Sequence, residues 1–344
     1  MDRRDFLKTT GAAAVAAGAA ASAKPAESEP AAPSILSGKR LTLLCDFGSD
    51  ELGLGPDRLA GRIEVATDGR FRIERVEAAE DGAHPDLTFG HAARHARRHP
   101  AFAFFAGLPL GHGLEAGHQH AWLAAGGGEM LWEELAAGFG FKPLLAGHTG
   151  ASTGIWASAR LERASDLVGA KLHAVGLAAD ALRALGAVPV ELAARELKPA
   201  LAEGRIRGAE WLGPLPAVSP DLQPLGQRVY EPGFHPGGLM LSLSVSRGLW
   251  DAMAASDRAI FEACAAQEHQ ASLGDALVHA AIAGQVHASS KGPARIDLSH
   301  DLADELESAL ADVVERIAAA DAESRRIHDS YQAFRRLLGE DVIV

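Results

Sequence analysis

Apolar positions along the chain fall into short runs and into longer stretches with helical spacing. The short runs, some of them alternating with polar residues, predict strands at residues 41–45, 71–76, 86–92, 101–105, 142–146, 171–175, 188–190, 208–211 and 239–245. Apolar residues three and four apart predict helices at residues 57–63, 129–139, 178–185, 194–203 and about 257–283. Strands that alternate with helices indicate an α/β fold with largely parallel sheets.

The C-terminal part of the chain has the clearest helical periodicity. Its apolar residues recur at intervals of three and four, at Leu302, Leu306, Leu310, Val313 and Ile317, then at Ile327, Tyr331, Phe334 and Leu338. This spacing predicts amphipathic helices that cap a core. Three consecutive glycines at residues 126–128 precede the 129–139 helix and predict a helix-start turn.

The N-terminus has the features of an export signal. A charged start is followed by an Ala- and Gly-rich stretch and by Ala-Ser-Ala at residues 21–23, so we predict a signal peptide over residues 1–23. The paired Arg3 and Arg4 are typical of the twin-arginine pathway, which exports folded proteins. Residues 24–38 are rich in Pro, Ala, Ser and Glu and predict a flexible leader. The expected location is the periplasm.

Composition narrows the possible classes of protein. Hydrophobic residues make up 47% of the 344 residues, enough for a sizeable core and for about two domains or lobes. The net charge of -12 argues against a nucleic-acid partner, because phosphate binding favours a basic surface. Two cysteines, Cys45 and Cys264, are too few for a disulfide scaffold, and whether they pair is left open. Fifteen histidines are the unusual feature.

From residue 104 onward, short motifs follow one another in a specific order. They are found at residues 104–111, 122, 126–128, 132–135, 141–143, 147–150, 166–171, 186–190, 210–214 and 230–235. This series resembles the DctP-like solute-binding subunits of tripartite ATP-independent periplasmic (TRAP) transporters, particularly the branch that binds 2-oxo and 2-hydroxy monocarboxylates. The resemblance covers residues 41 to about 285.

The resemblance implies an α/β, two-lobed periplasmic-binding-protein-like fold with crossing hinge strands and a long interlobe helix. We expect lobe one at residues 40–148 and 238–275, and lobe two, with the C-terminal helices, at residues 149–237 and 276–344. It also implies a protein that is not an enzyme. Its lobes would close over a small organic acid and deliver it to a small and a large membrane subunit.

The resemblance also transfers ligand-binding positions to this chain, with several replacements. His173 stands where relatives carry an arginine, so the two parallel hydrogen bonds of a guanidinium to a carboxylate are lost. His148 and Ser152 lie in a stretch where relatives have asparagine and glutamine. Glu210 and Trp211 keep the family pattern.

Two further features of the site depend on the same comparison. His91 matches a first-lobe histidine of relatives and is a candidate for the cleft wall. Relatives hold a bridging cation, sodium or calcium, for which Glu210 and Trp211 are the candidate ligands here. A second carboxylate, in the relatives' Trp-His-Glu-Pro-Gly, is missing from the Phe-His-Pro-Gly of residues 234–237, which puts the cation in doubt. We expect that the ligand preference differs from that of relatives, although the ligand is still a small organic acid or a neutral relative of one.

Other functions compete with this interpretation. His148 and His173 could instead bind a transition metal together with Glu210. His112, His118 and His120 form a local cluster that could contribute, although their spacing favours a solvated loop. The Gly-x-Ser-x-Gly of residues 150–154 matches the nucleophile elbow of serine hydrolases, with Ser152 as nucleophile and Asp251 or Asp257 and His269 or His279 downstream. Residues 155–160 read as a strand, whereas an elbow leads into a helix. A sensor or scaffold protein remains open, as does the oligomeric state.

Overall fold

Two β-sheets frame the chain in this computed structural model, which describes residues 38–45, 55–76, 85–210, 228–289 and 293–339. The predicted signal peptide, nearly all of the leader and Trp211 lie outside the described residues.

The first sheet has five strands in the order β2-β1-β3-β10-β4. They are β1 (Lys39–Cys45), β2 (Phe71–Val76), β3 (Leu87–His91), β4 (Phe141–His148) and β10 (Met240–Ser246). β1 is parallel to β2 and β3, whereas β10 runs antiparallel to β3 and β4. The sheet therefore consists of an N-terminal block completed by one strand from much later in the chain.

The second sheet has six strands in the order β11-β9-β5-β8-β6-β7. They are β5 (Ile155–Ala157), β6 (Lys171–His173), β7 (Val188–Val190), β8 (Gly208–Glu210), β9 (Arg228–Glu231) and β11 (Ala294–Asp297). β6 is parallel to both β7 and β8, and β5 is antiparallel to β8 and β9. The two predicted ligand residues His173 and Glu210 are the last residues of the neighbouring parallel strands β6 and β8.

The chain crosses between the sheets through the segments 149–154, from β4 to β5, and 232–239, from β9 to β10. A third connection is the 35-residue helix α9 (Ala255–Ser289), which follows β10 and leads to β11. α9 packs along β4 and also on α1 (Gly55–Ala66). The predicted α/β fold with crossing segments and a long interlobe helix is confirmed, while the residue limits of the lobes stay a prediction.

The remaining helices cover both sheets. They are α2 (Phe102–Ala106), α3 (Ala116–Ala124), α4 (Gly128–Ala137), α5 (Ala164–Leu167), α6 (Gly176–Ala184), α7 (Ala194–Ala202), α8 (Arg247–Ala252), α10 (His300–Ala318) and α11 (Ala322–Leu337), with short 3₁₀ helices at Ala92–Arg97 and Leu110–His112. The triple glycine of residues 126–128 does form a helix-start turn, because Gly127 precedes α4 in a left-handed conformation with φ +86°.

The strand predicted at residues 101–105 is wrong, since this stretch is mainly helix α2. All five residues of α2 are buried. A run buried on every side carries neither the alternation of a strand nor the periodicity of a surface helix, so its pattern could not distinguish the two.

Amphipathic helices close the core as their periodicity predicts. Leu302, Leu306, Leu310, Val313 and Ile317 of α10 are all buried. α10 begins at Ser299, whose Oγ accepts a hydrogen bond from the Leu302 N–H, as N-cap side chains do. α11 contributes the buried Ile327 and Tyr331 to the same hydrophobic cluster.

Two further observations concern membrane-spanning helices and disulfide bonds. No helix in the described ranges is both long enough and apolar enough to cross a membrane. Cys45 and Cys264, both within these ranges, are not joined by a disulfide bond.

Candidate functional site

The two crossing segments are hydrogen-bonded to each other. The Thr149 N–H donates to the Leu239 carbonyl at 2.9 Å, and the Leu239 N–H donates back to Thr149 Oγ1 at 2.9 Å. Further along, the Ser152 N–H donates to the His235 carbonyl at 3.1 Å. Side chains of both segments are thereby brought to one place between the sheets.

A buried carboxylate–imidazole pair lies beneath these segments. Glu210, at the end of β8, is 3% exposed, and so is His235 of the second crossing segment. Glu210 Oε1 accepts the His235 backbone N–H at 2.7 Å, and Oε2 contacts His235 Nδ1 at 2.7 Å. Because a carboxylate only accepts, Nδ1 carries the proton of this contact. Both oxygens of Glu210 are therefore engaged by one residue.

Ser152 adjoins this pair across Gly233. A Cβ atom at Gly233 would lie 2.3 Å from Ser152 Oγ and 2.8 Å from Glu210 Oε1. Real Cβ atoms do not approach other atoms so closely, so only glycine fits between the hydroxyl and the carboxylate. The Ser152 hydroxyl also accepts the Gly154 N–H at 3.2 Å. Ser152, Gly233, Glu210 and His235 form one cluster.

His173, at the end of β6, lies close enough to Glu210 for an electrostatic interaction between the two side chains. Its Nδ1 accepts the Leu192 N–H at 3.2 Å, so the neutral ring carries its proton on Nε2. Burial lowers the pKa of His173, and a hydrogen bond to the Val190 backbone and, to a smaller extent, the Glu210 carboxylate only partly oppose this effect. Position 173, where the resemblance implies an arginine, therefore presents a neutral imidazole with one N–H donor.

His148, the last residue of β4, has the same arrangement. Its Nδ1 accepts the Gly150 N–H at 2.9 Å, which again places the proton of the neutral ring on Nε2. Burial, with a smaller contribution from His269, lowers its pKa to about 4. The ring packs under the second crossing segment, where a Cβ at Gly238 would lie 2.6 Å from His148 Cε1.

His91 ends β3, opposite Leu241 of β10. Burial, with smaller electrostatic contributions from His235 and Arg94, lowers the pKa of His91 to about 4. His91 is therefore close enough to His235 for the two rings to interact electrostatically. Five of the six predicted ligand residues thus lie at or near the crossing segments, while Trp211 is outside the described residues.

Sequence reasoning missed His235 and Gly233 as parts of this site. Both belong to the motif at residues 230–235, but this stretch drew notice only for the carboxylate that relatives have and this chain lacks. A glycine two residues before a histidine in this motif was the available signal.

The interpretation of His112, His118 and His120 as a solvated loop is wrong. His112 is buried, with Nε2 3.6 Å from Glu307 Oε2, and His118 and His120 lie on α3. His120 stacks on His269 of α9, with ring centroids 4.9 Å apart, beside a cavity of ≈ 160 Å³ between α3, α4, β4 and α9. The described part of the chain contains no cluster of three or more His, Cys, Asp or Glu residues that could hold a metal ion.

The hydrolase alternative finds no support in the geometry. Residues 150–154 lead into strand β5, whereas a nucleophile elbow leads into a helix. Of the downstream candidates, Asp257 is bound to Arg70 at 2.7 Å, and His269 Nδ1 contacts the Gly147 carbonyl at 3.1 Å. Both are thus engaged by other partners.

Of the two predicted ligands of a bridging cation, Glu210 is described and Trp211 lies outside the described residues. Calcium takes six to eight oxygen ligands, and sodium, like calcium, is a hard cation that is bound through oxygen. The cluster offers the two Glu210 oxygens, both already accepting from His235, and one serine hydroxyl. Its other polar side chains are imidazoles, which favour transition metals.

Comparison with known proteins identifies relatives with the same architecture. A family model described as bacterial extracellular solute-binding protein, family 7, matches residues 69–321. A monocarboxylate 2-oxoacid-binding periplasmic protein from Nostoc sp. is 28% identical over 296 residues, which cover 82% of this chain and 80% of that protein.

Several solved structures have the same fold as this chain. A TRAP transporter solute-binding protein from Bordetella bronchiseptica, with calcium and picolinate, superposes with a TM-score of 0.80 at 21% identity, covering 88% of this chain and 93% of that one. Proteins from Pseudoalteromonas atlantica, with sodium and pyruvate, and Colwellia psychrerythraea, with calcium and pyruvate, give TM-scores of 0.79 and 0.80 at 20% and 19% identity, each covering 88% of this chain and 95% of the other. The family match spans most of the chain, and the two-lobed fold agrees with it: the chain belongs to family 7 of the bacterial extracellular solute-binding proteins.

Proposed function

We propose that the chain is the periplasmic solute-binding subunit of a TRAP-type secondary transporter and that it captures a small organic acid between its lobes. The solute would be a 2-oxo or 2-hydroxy monocarboxylate, or a close relative of one. The Nostoc relative is described as binding 2-oxo monocarboxylates, and two of the structural relatives hold pyruvate. These similarities support the class of solute.

The observation that carries the proposal is the convergence of donor side chains at the crossing segments. His173 and His148 each use Nδ1 to accept a backbone N–H, which leaves an Nε2–H for another acceptor. Ser152 lies beside the Glu210–His235 pair. Uncharged N–H and O–H groups of this kind suit a small carboxylate, and each hydrogen bond to a charged group contributes about 1.5–3 kcal/mol.

The proposed role involves binding and transfer without chemical conversion of the solute. After export through the twin-arginine pathway, the protein would load in the periplasm and pass its solute to the small and large membrane subunits. Closure of two lobes about short crossing segments is a common way for such proteins to signal that they are loaded.

Calorimetric titration of the purified protein with pyruvate, lactate and propionate tests the proposal. We expect saturable binding of at least one acid, and a loss of about ten- to a hundredfold in affinity for His173→Ala, because one hydrogen bond to the carboxylate disappears. The exposed His300 at the start of α10 provides a control, since His300→Ala should bind as the unchanged chain does. The proposal fails if no acid binds at millimolar concentration, and the assigned site fails if His173→Ala binds normally.

A further inference from the structure

A cavity of ≈ 160 Å³ lies against the first sheet, between α3, α4, β4 and α9. Its lining is mostly apolar, with leucine, alanine, proline and tryptophan side chains, and the described lining residues include none of the cluster at residues 152, 210, 233 and 235. An apolar cavity of about 150 Å³ is large enough to bind a single benzene ring. This cavity therefore has room for one small organic molecule.

Two carboxylates give the cavity a negative charge. Glu129, in the first turn of α4, and Glu262, on α9, both line it and both are exposed. Within the described ranges neither carboxylate is paired with a basic side chain, and no lysine or arginine is among the lining residues. Unbalanced carboxylates attract cations and repel anions. The organic acids proposed for the site at the crossing segments are therefore disfavoured here.

His269 adds a buried hydrogen-bond acceptor to the wall. Its Nδ1 lies 3.1 Å from the Gly147 carbonyl, which only accepts, so Nδ1 carries the proton of the neutral ring. Burial lowers the pKa of His269 to about 4, so the ring is neutral near pH 7 and Nε2 is an acceptor. This Nε2 is buried and has no partner among the residues that the structure describes. A buried acceptor of this kind is unfavourable until a donor reaches it.

The indole ring of Trp132 adds an aromatic surface. Trp132 is 2% exposed, and Phe105 stacks on its ring with centroids 5.5 Å apart, which holds the ring in place. Cations are attracted to the faces of aromatic rings, and an ammonium group carries only hydrogen-bond donors. Carboxylates, a neutral imidazole acceptor and an aromatic ring are together suited to such a group.

We propose that this cavity is a second ligand site, which takes a small organic ammonium ion with an apolar body. The apolar wall buries the body, and Glu129, Glu262 and the His269 acceptor hold the ammonium group. The site does not depend on the proposed function, because it shares no described residue with the cluster at the crossing segments.

Three probes of similar shape and different charge test the ligand class. The indole N–H signal of Trp132, assigned with Trp132→Phe, is followed by NMR in isotope-labelled protein. We expect benzylammonium to shift this signal saturably and to bind about three- to tenfold more tightly than benzyl alcohol. Benzoate should not displace it. Absence of a saturable shift at about 50 mM benzylammonium would reject the site, and equal affinity for the alcohol, or displacement by benzoate, would reject the ligand class.

Removal of the two charges tests what sets the preference. In the double variant Glu129→Gln and Glu262→Gln, the affinities for benzylammonium and benzyl alcohol should agree within about twofold, because only the attraction of the cation is lost. Glu305→Gln, at an exposed position of α10, is the matched control and should keep the preference. A preference that survives the double variant would overturn the role of these carboxylates.

A substitution that fills the cavity tests where the probe binds. Ala266 lines the cavity and is exposed on α9, so Ala266→Phe should abolish binding of both benzylammonium and benzyl alcohol without unfolding the protein. Ala263→Phe, at an exposed position of the same helix outside the described lining, should bind both normally. Undiminished binding by Ala266→Phe would place the probe elsewhere and overturn the proposal. If this variant does not fold, the shift of Trp132 and the double glutamine variant still decide the question.

Discussion

At the scale of single residues, the backbone determines which nitrogen of each buried imidazole carries the proton. Gly150 and Leu192 donate their N–H groups to Nδ1 of His148 and His173, so both neutral rings present an Nε2–H. The two histidines are therefore equivalent, single-donor replacements for more extended polar side chains. The sequence shows where a histidine stands, but the tautomer depends on neighbours that only the fold brings near.

Gly233 provides the sharpest prediction at this scale. Gly233→Ala would place a methyl group 2.3 Å from Ser152 Oγ and 2.8 Å from Glu210 Oε1, so one of these side chains must move. We expect at least about a tenfold loss of solute affinity and a destabilisation of about 1–3 kcal/mol. Calorimetry and urea unfolding would measure the two effects.

A glycine without close neighbours serves as the control for this substitution. Gly117 lies in α3, and nothing lies within 4 Å of a Cβ placed there. Gly117→Ala should leave solute binding unchanged and stabilise the protein by about 0.5–1 kcal/mol, because alanine favours a helix. Wild-type affinity of Gly233→Ala would mean that the cluster at residues 152, 210, 233 and 235 does not form the binding site.

At the scale of elements, the sequence predicted best where one face of a helix is buried. Leu302, Leu306 and Leu310 predicted α10 because a half-buried helix shows its periodicity directly. The wholly buried α2 shows none and was assigned to a strand. The Glu210–His235 pair joins a strand end to a crossing segment 25 residues later, and no local pattern reports such a contact.

The packing of α1 on α9 depends on a carboxylate with no exposed surface. Glu268 of α9 is 0% exposed and accepts two hydrogen bonds from Arg58, at 2.7 and 2.6 Å, and one from Arg62, at 2.7 Å. The contact with Glu268 raises the pKa of the Arg58 guanidinium. These bonds tie the long interlobe helix to a helix of the first sheet.

Replacement of this carboxylate should therefore weaken the fold without touching the site. Glu268→Gln removes the charge at nearly constant volume, and we expect the free energy of unfolding to fall by about 2–3 kcal/mol, since charge-assisted hydrogen bonds are lost. The exposed Glu262 on the same helix is the matched control, and Glu262→Gln should change stability by less than about 0.5 kcal/mol. Equal effects of the two changes in urea unfolding would contradict this account.

At the scale of the whole molecule, the many buried histidines make the stability of the fold depend on pH. Burial lowers the pKa of His91, His112, His148 and His269 to about 4 and that of His95 to about 3. A free histidine has a pKa near 6.5, so below that value the unfolded chain binds protons that the folded chain does not. The stability that these neutral rings provide is complete above pH 6.5 and is lost as the pH falls towards 4.

Urea unfolding between pH 8 and pH 4.5 should therefore show a steep fall in the free energy of unfolding below pH 6.5. His95 packs among Phe102 and Phe141, so His95→Phe removes one titrating ring while keeping an aromatic side chain. We expect this variant to lose about 2 kcal/mol less than the unchanged chain over that range. His300→Ala, at an exposed position, should not alter the pH dependence. A flat profile would mean that these rings do not remain neutral in the folded protein.

The closeness of Gly233 to the Glu210–His235 pair has a consequence for reading other genomes. The Gly-Phe-His-Pro run of residues 233–236 contains the residue that pairs with Glu210 and the one that closes off the space beside it. This run, together with a histidine at the end of β6, is a sequence signature that can be searched for directly. Relatives that carry both are expected to have the same buried carboxylate–imidazole pair with a glycine packed against it.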